Sequence, residues 1–117
     1  MFRVIIAGGR DFNDYQLLEQ KMDTFLSNIS EGITIVCGLA RGADTLGERY
    51  AKERGYPINY YPANWSTYGK TAGYLRNEQM ALNADALVAF WDGHSKGTQH
   101  MIHLAQTHNL KTRIVRY

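Results

Sequence analysis

Apolar and polar positions along the chain switch repeatedly between short continuous runs and a three-to-four spacing. Val4-Ile5-Ile6-Ala7 is an unbroken apolar run that ends in Gly8-Gly9, as expected of a strand buried on both faces. Tyr15, Leu18, Met22, Phe25, Leu26 and Ile29 then recur at helical spacing, with Asn13 or Asp14 as the cap and Gly32 as the stop. Ile33 to Cys37 reads as a second buried strand, followed by the glycine-bounded turn Gly38-Leu39-Ala40-Arg41-Gly42. A helix is predicted over 43–54, with Ala43, Leu46, Tyr50 and Ala51 inward and Gly55 past its end. Pro57 to Tyr61 forms a third strand, its proline tolerated at the first position. A loop over 62–69 carries Trp65 and Tyr68, and a helix is predicted over 70–83. Ala86 to Trp91 is the clearest strand, followed by the loop 92–97. The last helix carries Met101, Ile102, Ala105 and His108 on one side, and Thr112 to Arg116 closes the chain as a fifth strand.

Strands alternating with helices predict an α/β domain of three-layer, Rossmann-like type. It has a mostly parallel sheet of about five strands with helices on both faces. One such domain accounts for residues 1–117. Every glycine-rich loop follows a strand, so all of them are expected at the carboxyl edge of the sheet. Open α/β sheets bind their ligands there, where the strand order reverses.

Composition narrows the function classes. Apolar residues make up 44% of the chain, enough for a core, and no stretch is long enough to span a bilayer. The short apolar start runs straight into Gly8-Gly9-Arg10 and is expected to be a strand rather than a signal peptide. Cys37 is the only cysteine, which favours a reducing, cytoplasmic setting and a thiol that packs as a small hydrophobe. The formal charge is +2, with no basic run, so nucleic acid is not the expected partner. His94, His100, His103 and His108 fall late in the chain without a paired cysteine or a His-Glu-x-x-His pattern. No metal and no cofactor is therefore predicted, and only His94 is expected near a site.

Four strand-end segments can carry chemistry. In Gly8-Gly9-Arg10-Asp11-Phe12 the glycines admit a close backbone approach and Arg10 can meet a phosphate, though a tight turn would use the same glycines. Gly38 to Asp44 leads into a helix whose first amides are free donors. Arg41 can add charge there, and Asp44 either contacts a ribose hydroxyl or only stabilises the helix start. In the third segment, Ala72, Arg76 and Met80 share one helix stripe that fits a cavity wall, beside Lys70 and Asn77. Arg76 could instead pair with Asp44 or Asp85, and Trp65 could stack on a base or cover the core. Gly97-Thr98 opens the last helix with amides and a hydroxyl converging. It follows neither the Walker order nor Gly-x-Gly-x-x-Gly.

Taken together, these motifs resemble one family. They are Gly8-Gly9-Arg10-Asp11-Phe12, Gly38-x-Ala40-Arg41-Gly42-Ala43-Asp44, Trp65-x-x-x-Gly69-Lys70-x-Ala72-Gly73-x-x-Arg76-Asn77-x-x-Met80, and Gly97-Thr98. Their order resembles the YspA-like (YpsA-related) branch of the SLOG superfamily, found in bacteria and phages. The resemblance implies a Rossmann-like fold that binds nucleotides or nucleotide-derived ligands. Similarity to the LOG phosphoribohydrolases is more distant. Arg76-x-x-x-Met80 and Gly97-Thr98 match their pattern, but Met101 stands where they carry a catalytic glutamate. The DNA-processing DprA family is similar in fold and has extra domains.

The expected function is binding, for sensing or sequestration, of a phosphorylated nucleotide-like molecule. Gly8, Gly9, Gly42, Gly97 and Thr98 would lie along its phosphates, Arg10, Arg41 and Arg76 would pair with its charge, and Trp65 would be a base platform. The alternative is a nucleosidase or phosphoribohydrolase using Asp44, Asp92 or Asp11, with Arg76 beside them. Single-stranded nucleic-acid binding ranks third. A homodimer is the expected assembly.

Overall fold

The computed structural model describes all of residues 1–117. Five strands, β1 (Phe2–Gly8), β2 (Ile33–Cys37), β3 (Ile58–Tyr60), β4 (Ala86–Trp91) and β5 (Lys111–Arg116), form one sheet in the order β3-β2-β1-β4-β5. Every pairing is parallel, with Ile5 opposite Val36 on one side of β1 and opposite Leu87 on the other. The helices are α1 (Tyr15–Leu26), α2 (Ala43–Arg54), α3 (Trp65–Tyr68), α4 (Ala72–Leu82) and α5 (Lys96–Thr107). None is long and apolar enough to cross a membrane.

Alternation along the buried strands divides the core in two. Val4, Ile6, Ile35, Val88 and Phe90 meet Leu18, Met22 and Leu26 of α1 and Tyr50 and Ala51 of α2. Ile5, Ala7, Val36, Leu87 and Ala89 meet Met80 and Ala81 of α4 and Met101, Ile102 and Ala105 of α5. The chain therefore builds outward from β1 on one face, then returns from β3 to β4 and covers the other. The strand order reverses between β1 and β4, which opens a crevice beyond their carboxyl ends.

Local chemistry sets the element ends. Asp14, rather than Asn13, caps α1 by accepting from the Leu17 amide at 3.1 Å. Gly55 ends α2 in the left-handed conformation. The helix expected over 70–83 is shorter and preceded by separate turns. Asn64 caps α3 through the Thr67 amide, and Gly69, at φ 56, breaks it from the 3-10 turn Gly69–Thr71 that leads into α4. The expected loop over 62–69 thus contains a helical turn. His108 is a second departure, since it ends α5 as an exposed residue instead of joining its apolar side.

Candidate functional site

Three adjoining hollows lie along the carboxyl edge of the sheet, and Arg10 and Arg76 line all three. The inner one, about 400 Å³, lies over the β1–β4 crevice. Its walls include Gly8, Gly9, Arg10 and Asp11 after β1, Asp92 and Ser95 after β4, and Gly97 and Thr98 of α5. Asp44, Arg76, Asn77, Met80 and Met101 complete it. The outer one, about 530 Å³, runs between Gly38–Arg41 and Pro62–Trp65. A smaller hollow of about 230 Å³ adds Lys70, Gly73 and Tyr74.

The glycine loops act chiefly by letting backbones cross. A Cβ on Gly8 would stand 2.4 Å from the Phe90 carbonyl oxygen, so β1 can approach β4 this closely only with glycine. Gly42 lines none of the hollows. Its φ is +77, and a Cβ there would overlap the Gly9 carbonyl and the Arg10 backbone. The Ala43 amide donates to that same Gly9 carbonyl at 3.2 Å. The phosphate-lining position expected for Gly42 is therefore taken up by packing of the second loop on the first. The other glycines expected at a ligand, Gly8, Gly9, Gly38 and Gly97, all line the hollows.

Asp44 does not cap α2 in the ordinary way. Its Oδ2 accepts from the Ala40 amide at 3.1 Å, which ties down the turn before the helix. The side chain is on the floor of the inner hollow and the residue is only 6% exposed. Burial raises its pKa to about 6, against the opposing pull of the Ala40 hydrogen bond and the Arg76 charge. Leu39, in the same turn, has φ 61 although it is 50% exposed. A leucine in the left-handed region is strained, and such residues gather at functional sites.

Arg76 pairs with neither carboxylate considered for it. Asp85 is held by Arg3 at the opposite end of the sheet, and no ion pair joins Arg76 to Asp44, although both side chains reach Gly38. The guanidinium donates to the Gly38 carbonyl and, at 3.0 Å, to Asn77 Oδ1. Asn77 in turn places its amide nitrogen 3.2 Å from His100 Nδ1 and 3.4 Å from the Gly97 carbonyl. Asn77 is thus engaged at both ends and orients Arg76 against the start of α5. His100, whose pKa burial lowers, stands edge-on to Tyr74. His100 is the histidine whose side chain contacts the site residues, whereas the exposed His94 meets them only through its backbone amide, on Asp92.

Ser95 caps α5, with its hydroxyl oxygen 3.4 Å from the Thr98 amide and 3.1 Å from the Thr98 hydroxyl. Asp92 Oδ1 accepts from the His94 and Ser95 amides at 2.8 Å, and these bonds lower its pKa. Trp65 stands on the rim at 52% exposure, which leaves its ring free rather than covering the core. The Ala72 of the expected stripe is buried, while Arg76 and Met80 reach the inner hollow. Cys37 ends β2 at 2% exposure, and burial raises its thiol pKa to about 11, so it packs as expected.

Tyr117 was not foreseen. Its hydroxyl donates to Asp11 Oδ1 at 2.6 Å, its ring packs edge-on against Phe12, and it covers Gly9. The contact spans 106 positions, and nothing in the local sequence signals it. Helical spacing places His100 one turn after Gly97, the one cue by which it could have been found.

The profile of the YspA, cpYpsA-related SLOG family matches residues 2–68. The Gene 61 protein of Mycobacterium phage D29 is 36% identical over 112 residues, covering 91% of this chain and 90% of its own. No solved structure is significantly similar to the chain.

Proposed function

Because this chain belongs to the YspA, cpYpsA-related SLOG family, we propose that its carboxyl-edge cleft binds a nucleotide or nucleotide-derived phosphorylated ligand, for sensing or sequestration. One observation carries this reading. Arg10 and Arg76 come from distant parts of the chain, line all three hollows and are matched by no ion pair. Guanidinium groups held this way suit phosphate oxygens, which they can meet with paired hydrogen bonds. Trp65 offers an exposed ring at the rim, and Gly97 offers an amide at the start of α5. The buried thiol fits a reducing cytoplasm.

Titration calorimetry with nucleoside monophosphates and diphosphates tests the reading. Binding by the native protein should weaken in Arg76→Ala by about ten- to hundredfold, the usual worth of a charge-assisted contact. The circular dichroism spectrum should be retained, since Arg76 faces a cleft. Absence of binding at millimolar ligand, or an Arg76→Ala variant that binds as well as the native chain, would reject it.

A second reading is supported by Asp44. A carboxyl with a pKa of about 6 beside a cleft can exchange a proton near neutral pH. A nucleosidase would use it in place of the glutamate replaced by Met101. Chromatography of nucleoside monophosphates after long incubation would decide. Release of free base, abolished by Asp44→Asn, would make the protein an enzyme, and unchanged nucleotide leaves it a binder.

A further inference from the structure

We propose that the anionic part of the ligand is a diphosphate or longer chain, seated in the outer hollow among Arg10, Arg41 and Arg76, with the ribose reaching into the inner one. This rests on the nucleotide reading above and divides its cleft into two chemically different parts.

The division is one of charge. Asp11, Asp44 and Asp92 line the inner hollow and outnumber Arg10 and Arg76 there, whereas no acid lines the outer hollow or the smaller one beside Lys70. A phosphate placed deep in the inner hollow would meet three carboxylates, and like charges at such distances repel strongly once water is excluded. Carboxylates there suit ribose hydroxyls, which donate hydrogen bonds to them.

The outer hollow holds more positive charge than a single phosphate needs. The ion pairs of the protein engage Arg3, Arg49, Lys52, Arg54 and the Met1 amine, and none engages Arg10, Arg41, Lys70 or Arg76. Burial pulls the Arg76 pKa down, and the Arg10 charge adds to that against the field of Asp44. Two guanidiniums within reach of each other's field are an unfavourable arrangement until an anion sits between them. A monophosphate carries about −1.5 to −2, which leaves about +1 to +1.5 of the three arginines' charge unmatched, and a second phosphate reduces that excess.

The test compares matched mono- and diphosphates of adenosine, guanosine and uridine, with inorganic pyrophosphate, in metal-free buffer at fixed ionic strength. Calorimetry gives the affinities, and circular dichroism verifies that each variant is folded. The nucleoside diphosphate of the preferred base should bind about tenfold tighter than its monophosphate. In Arg41→Ala that preference should shrink to less than about threefold, because Arg41 lines only the outer hollow. Monophosphate binding as tight as diphosphate overturns the inference and leaves the nucleotide reading standing. A diphosphate preference that Arg41→Ala does not change overturns the placement. Pyrophosphate binding that depends on Arg41, with no nucleotide bound, retires the nucleotide reading and retains the diphosphate seat. If neither pyrophosphate nor any nucleotide binds, both fail.

Discussion

The two faces of the sheet are built from different materials. Against one, α1 and α2 place large apolar side chains and a closed set of charges. Arg54 donates to Glu19 and Asp23, Tyr50 donates to Asp23, and Arg49 and Tyr15 share Glu53. Against the other, α4 and α5 contribute mostly alanine and methionine. That layer leaves Trp65, Tyr68 and Tyr74 exposed, and the cleft cations, Arg76 on α4 with Arg10 and Arg41 on the loops after β1 and β2, are unpaired. Both faces bury a core, but the first also satisfies its own charges. The other leaves charge and aromatic surface for something outside the chain, which is how a small domain separates stability from binding.

The sharpest way to break this contrast is a pair of leucine truncations. Leu18 is fully buried in α1, and Leu18→Ala should cost about 2–5 kcal/mol in urea unfolding. Leu82 of α4 is exposed, and Leu82→Ala should change stability by no more than about 0.5 kcal/mol. Comparable losses at both positions would show that Leu82 is packed against the fold rather than free on the surface.

A pH series sharpens the contrast at the cleft floor. Asp44 is raised from 3.8 to about 6 in the folded protein. Between those values the folded state holds a proton that the unfolded state has released, so stability falls as pH rises through this window. The shift corresponds to about 3 kcal/mol when complete. Asp44→Asn keeps an acceptor for the Ala40 amide and does not titrate. Its stability relative to the native protein should therefore climb between pH 4 and 7 by up to about that amount. Arg76, the charged group facing Asp44, stays protonated throughout and contributes only a constant offset. Parallel stability curves would mean that Asp44 is solvated.

The smallest effect concerns strain. Leu39 has positive φ and little buried surface to lose. Leu39→Gly should stabilise the fold by about 1 kcal/mol through relief of that strain. It should also weaken nucleotide binding by loosening the turn that carries Arg41. Destabilisation by this substitution would show that the leucine side chain packs usefully where it stands.

Much of this was readable in the sequence. Continuous runs such as Val4–Ala7 and Ala86–Trp91 belong to strands buried on both faces, so the parallel sheet and the position of its glycine loops followed. Those loops brought Arg10, Asp44, Arg76, Gly97 and Thr98 together, because each lies at a strand end or on the helix after it. Side-chain partners were less legible. Gly42 carries the same sequence signal as a phosphate-lining glycine, and only the crossing of two loops shows that Gly9 already occupies its approach. Leu39 shows no sign of positive φ, since leucine is not a residue that ordinarily adopts it. Asn64 did offer a cap for α3, but a four-residue helix leaves too little periodicity to register.

The central claim, that the carboxyl-edge cleft binds a nucleotide while the body of α1 takes no part, is tested most directly by following backbone amide shifts by nuclear magnetic resonance during nucleotide titration. The expected result is saturable shifts at Gly9, Arg10, Ala40, Asn77 and Thr98, with the amides of α1 from Gln16 to Thr24 unmoved. Shifts confined to α1 and α2, or no shifts at millimolar nucleotide, would contradict it.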